Sequence, residues 1–169
     1  MGAPSRPEFV VATLPNGLRW VHQPTASPTG HIGLHLKAGS RDETREDEGL
    51  AHFTEHLIFK GTARRKAFHV LSRLEGVGGE LNAYTGKEDT LLYASFMVEH
   101  YRRAMDLLFD IVKHASIPER EVPKEREVIL DEMDGYKDNP SEALFDEFDA
   151  LLYPDHPLGM NILGRRDTV

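Results

Sequence analysis

Apolar positions recur along this chain with two periods, two and 3.6, and the changes from one to the other mark out its elements. Residues 8–22, "EFVVATLPNGLRWVH", predict two strands joined by a turn, because Pro15-Asn16-Gly17 supplies the positive backbone angles a tight reversal needs. Period two returns at Ile32, Leu34 and Leu36, so residues 31–40 predict a third strand. The acidic run "RDETREDEG" that follows predicts a solvated connection, with Asp47 as N-cap of a helix starting near Gly49. Helical spacing of Leu50, Phe53, Leu57 and Ile58 then predicts a helix over 50–59, with Gly61 placed to stop it. A second helix fits 66–76, and two more strands around a Gly86 turn fit 78–99. Residues 100–115 predict an amphipathic helix with Ala104, Leu107, Leu108 and Ile111 on one side. Pro123 suits the first turn of a helix over 123–138, where an amide hydrogen has no partner anyway, and a last helix over 141–153 follows the Asn139-Pro140 break.

Strands early, helices between them and strands again predict an α+β (mixed α/β) fold: a mixed, largely antiparallel sheet with helices packed on one face. With 169 residues, 40% of them hydrophobic, one domain with a real core is expected over 1–169. A net charge of −8 argues against nucleic-acid phosphate as a ligand and favours basic or neutral polypeptides. Without cysteine, the chain has no disulfide, thiolate metal site or thiol nucleophile. No run approaches the ~20 apolar residues of a membrane span, and the start lacks the apolar stretch of a signal peptide. The expectation is a soluble, unexported protein, and the ending "HPLGMNILGRRDTV" reads as cut.

Chemistry concentrates in "GLAHFTEHLIFKGT", where two histidines and a glutamate occupy five positions of an apolar helix. Residues four apart on a helix lie about 40° from each other, so His52 and His56 can aim two imidazoles at one ion. Zinc suits two neutral imidazoles plus a carboxylate, with a fourth position left to water in catalytic sites. Glu55, three after His52, lies on the same side as a candidate general base. H-x-x-E-H is the inverzincin spacing, and it requires a third ligand from elsewhere. "KEREVILDEM" is the best source: Glu125 and Glu132, seven apart, share a helix face to within about 20°, but spacing alone does not choose among Glu125, Glu127 and Glu132.

The blocks "HFTEHLIFKGT", "GGELNAYTGKEDTLLY", "EREVILDEM" and "HPLGMNILG", in that order and separation, resemble the N-terminal part of the pitrilysin/insulinase family of zinc metallopeptidases. The resemblance covers nearly the whole chain and is strongest to short bacterial members and to the β subunit of the mitochondrial processing peptidase. It implies that His52, His56 and Glu132 ligate zinc, Glu132 lying 76 positions after His56. It implies that Glu55 is the general base and that Glu125 supports a ligand histidine from behind. It also implies that Leu81, Asn82 and Ala83 lie on the edge strand along which peptide substrates are laid.

Members of that family close two related halves around a peptide, so the chain is expected to be one catalytic half that needs the C-terminal half of a longer chain. Zinc binding with little peptidase activity of its own is expected, with homo- or hetero-dimers among the partner arrangements and a bacterial cytoplasm as the setting. The competing reading is a non-catalytic peptide-binding or core subunit of a processing-peptidase-like complex. His22, His31, His35, His69, His100, His114 and His156 read as structural or surface residues, and Gly76, Gly78 and Gly79 lack the spacing of a phosphate loop.

Overall fold

A computed structural model describes residues 9–137 and 139–169. The chain runs β1 (Val10–Thr13), β2 (Arg19–His22), β3 (Thr29–Leu36), α1 (Leu50–Ile58), α2 (Ala67–Glu75), β4 (Glu80–Thr85), β5 (Thr90–Met97), α3 (Tyr101–His114), α4 (Val122–Lys137) and α5 (Pro140–Leu152). The expected strand start at residue 8 and helix end at residue 138 fall outside the described residues.

β3, β5 and β4 form a three-stranded sheet in that order, leaving one side of β4 as a free edge. Every ladder among the described residues is antiparallel, in line with the largely antiparallel sheet expected. Among the described residues β1 and β2 pair only with each other, as a separate exposed hairpin closed by Gly17 at φ 87°.

One face of the three-stranded sheet is covered by helices. Leu92, Ala94 and Phe96 of β5 alternate inward and meet Val70 and Leu74 of α2 and Ala104, Leu107, Leu108 and Ile111 of α3. A second core joins Ile129, Leu130 and Met133 of α4 to Leu163 and Val169, with Phe53 of α1 packed against it. Because α1 gives Ile58 to the first core and Phe53 to the second, it is wedged between β4 and α4.

The expected third strand starts two residues earlier, at Thr29, and ends at Leu36 instead of running to Ser40. It stops because Gly39 passes against the β4–β5 turn, where a Cβ would lie 2.6 Å from the Gly86 carbonyl oxygen. The Ser40 and Arg41 amides instead donate to the carbonyls of Gly86 and Lys87 at 3.2 and 2.8 Å.

The acidic run is only partly solvated. Glu43 and Glu48 are buried, and the Glu43 carboxylate accepts from the amides of Gly49 (2.8 Å) and Ala51 (2.6 Å) at the start of α1. Asp47 therefore does not cap that helix through its side chain; its carboxylate turns back to the Thr44 hydroxyl at 2.6 Å. A glutamate from six positions upstream of Gly49 supplies the side-chain acceptor, and Asp47 contributes only its carbonyl, which accepts from the Leu50 amide at 3.0 Å. Burial raises the Glu43 pKa from its ordinary value, against the lowering effect of those two amides.

Candidate metal centre

α1 and α4 pack against each other, and their facing turns bring His52, His56 and Glu132 together. The four-residue spacing sets the two imidazoles edge to face, with ring centroids 4.7 Å apart and planes inclined by 65°. His52 Nε2 lies 3.8 Å from Glu132 Oε1, and His56 Nε2 lies 3.6 Å from Glu132 Oε2. One ligand atom from each of the three residues falls within 4.8 Å of the others. Ligand atoms around a tetrahedral zinc with bonds of about 2.1 Å stand roughly 3.4 Å apart, so this donor set needs only a small contraction to hold one ion. Two imidazoles and one carboxylate are also the donors that suit zinc.

Burial lowers the pKa of His52 and so favours the neutral ring, with a lone pair free for a metal; the nearby Glu132 carboxylate works in the opposite direction but is outweighed. Its Nδ1 is buried with no hydrogen-bond partner among the described residues. His56 is held from behind: Nδ1 faces Glu125 Oε2 at 3.3 Å, so a proton placed on Nδ1 leaves Nε2 open toward Glu132.

Packing distinguishes the three glutamates that spacing left equivalent. Glu132 reaches both imidazoles, whereas Glu125, one face-repeat earlier, is buried behind His56 and bound by Lys60 Nζ at 2.5 Å from its Oε1. Glu127 is exposed and lies beside Arg126 at 3.6 Å. Lys60 was not singled out from sequence; a lysine one turn past His56, with an acidic residue due behind that histidine, was the available signal.

Glu55 sits on the same turn of α1 but is directed to β4, where the Thr85 hydroxyl donates to its Oε2 at 2.5 Å. Thr85 too was missed. Leu81, Ala83 and Thr85 occupy the helix-facing positions of β4, and a hydroxyl in that apolar series was its sequence signal. Asn82 points to the open face of the sheet, and its Oδ1 accepts from the Ala83 amide at 2.9 Å. The three expected substrate positions thus lie on the free-edge strand, with Ala83 buried, Leu81 half-buried and Asn82 exposed.

His31 and His35 lie on the same open face, bonded to Ser95 (2.9 Å) and Asp89 (2.6 Å), apart from this cluster. A cleft of about 360 Å³ lined by Arg64, Arg65, His69, Arg73 and Arg103 shares no residue with it, and arginines there face Asp106 and Asp110. No helix among the described residues is long and apolar enough to cross a membrane.

The chain is similar to several known proteins. The chain is 41% identical over 166 residues to a probable mitochondrial-processing peptidase subunit beta of Arabidopsis thaliana, covering 98% of this chain and 31% of that protein. It is 42% identical over 159 residues to an uncharacterized zinc protease of Mycobacterium leprae, covering 93% of this chain and 36% of that one. Among solved structures, a protease from Helicobacter pylori superposes with a TM-score of 0.89 at 28% identity, over 96% of this chain and 40% of that one. The chain therefore spans between 31% and 40% of the length of these three relatives. The profile of the insulinase family, peptidase family M16, matches residues 20–166, and the chain belongs to that family.

Proposed function

We propose that this chain carries the metal-binding half of a zinc-dependent endopeptidase that hydrolyses peptide bonds of extended peptides or presequences. The observation that carries the reading is the convergence of His52, His56 and Glu132 beside Glu55 and the free edge of β4. His52, His56 and Glu132 would hold the ion, and Glu125 would keep His56 in the tautomer that offers Nε2. When bound there, zinc supplies Lewis acidity, polarising a carbonyl and lowering the pKa of water to about 7.

The chain's own residues do the rest. A peptide adding to β4 is held through its backbone, so conformation is selected before side chains, and the scissile carbonyl is drawn to a fixed place beside α1. Such a peptide competes with Asn82 for the Ala83 amide. Glu55 takes one proton of the attacking water and delivers it to the departing amine nitrogen, so that the peptide bond breaks to a carboxylic acid and an amine, and the acid then releases the water's second proton to become a carboxylate. The C–O bond forms first, the C–N bond breaks once the amine nitrogen is protonated, and the carboxylate of Glu55 is regenerated.

The partner implied is the remaining part of a longer chain, or a second subunit, that closes over the peptide. The chain alone is expected to bind zinc and to turn over little. Elemental mass spectrometry on protein purified without a histidine tag tests this. Near-stoichiometric zinc that falls sharply in Glu132→Gln is expected, and Glu55→Gln in the full-length protein should keep the metal and lose hydrolysis. Absence of zinc from the wild type, or full activity of Glu55→Gln, would overturn the reading.

A further inference from the structure

We infer that Thr85 is the positioning residue for Glu55, its hydroxyl fixing one carboxylate oxygen so that the other is left to handle the water's proton; this rests on the peptidase reading above. The 2.5 Å separation is that of a short O–H to carboxylate hydrogen bond, with the hydroxyl as donor. Glu55 is only half-buried, so water could solvate its carboxylate without help. What the hydroxyl adds is orientation, because an unrestrained glutamate has three rotatable bonds and a carboxylate near an open surface samples many of their rotamers.

Thr85 is well fixed for that task. It is the last residue of β4 and pairs with Thr90 of β5, whose own hydroxyl donates to the Ala38 carbonyl at 2.9 Å. The alternation that buries Ala83 turns Thr85 toward α1, and α1 packs on β4. The free-edge strand that would receive a peptide is therefore the element that holds the base. Bound backbone and proton acceptor are referenced to one rigid strand, which keeps their spacing constant if the opposing half of the enzyme moves.

The test uses the zinc-loaded full-length protein with Thr85→Val, which keeps the β-branched shape and removes the hydroxyl, and Thr85→Ser, which restores it. Thr85→Val should lower kcat by about 10- to 100-fold with KM within about twofold, and Thr85→Ser should recover to within about fivefold. Zinc per chain, and the Kd of an intact peptide measured by fluorescence anisotropy in a Glu55→Gln background, should be the same with and without Thr85→Val. Thr85→Ala replaces the valine variant if that one melts early. A kcat within twofold of wild type would overturn the inference, as would zinc loss or weakened peptide binding in Thr85→Val, or failure of serine to rescue. Failure of the peptidase reading looks different: wild type then holds no zinc, or Glu55→Gln cleaves as fast as wild type, and the inference falls with it.

Discussion

Replacing Glu125 with glutamine keeps the shape of the side chain behind His56 and removes its charge. That carboxylate is 10% exposed, with Oε2 3.3 Å from His56 Nδ1 and Oε1 2.5 Å from Lys60 Nζ. Hydrogen bonds to charged groups contribute about 1.5–3 kcal/mol, and a separation beyond the usual ~2.9 Å places the His56 bond at the low end. A loss of about 1.5 kcal/mol is roughly tenfold in Kd for the metal. The substitution also removes the carboxylate in direct contact with Lys60, and the less compensated ammonium near the site repels a divalent cation, so the total should fall between about 10- and 100-fold. Titrating the wild type and Glu125→Gln with zinc against a competing fluorescent chelator, at one pH and ionic strength, reads the ratio directly. Glu132→Gln serves as the reference for outright loss of a ligand and should be weaker still. A Kd for Glu125→Gln within twofold of wild type would refute the argument that His56 depends on this carboxylate for its tautomer and aim.

Asp110, 1% exposed, accepts from Thr62 Oγ1 at 2.7 Å and His114 Nδ1 at 3.1 Å and pairs with Arg65. Burial raises its pKa, but Thr62 and Arg65 outweigh that and leave it below the ordinary aspartate value. A depressed folded-state pKa stabilises above the unfolded value and loses that contribution as pH falls through the folded one, so Asp110 contributes to acid lability. Asp110→Asn should cost about 3 kcal/mol at neutral pH and flatten the acid limb of stability measured by urea unfolding; parallel pH profiles would contradict this. Gly49→Ala should lower the melting temperature by several degrees, because φ is 96° and the added Cβ would lie 2.8 Å from Gly164 Cα; an unchanged melt would mean that the entry to α1 relaxes freely.

Local pattern carried much of this protein. Period-two runs placed the strands, 3.6-residue spacing placed the helices, and the four-residue step from His52 to His56 put two imidazoles on one face of α1, because each depends only on backbone geometry within a few residues. The choice among Glu125, Glu127 and Glu132 was not local. All three ride one helix, and only the packing of α4 on α1 decides which carboxylate meets both rings and which lies buried behind His56, 69 positions away in sequence. The acidic run misled for the same reason. Composition describes Glu43 and Glu48 as solvated, whereas the chain folds Glu43 onto the start of α1 and sets Glu48 against Arg165. Thr85 was visible only as a polar residue in an inward series, and its contact with Glu55 exists because the end of β4 stops opposite the right turn of α1. The sequence by itself determined the elements and one two-histidine face, and its family resemblance pointed to the carboxylates; tertiary structure brought Glu132, Glu125 and the Thr85 hydroxyl to that part of α1, because those contacts join segments whose meeting is set by core packing and not by spacing along the chain.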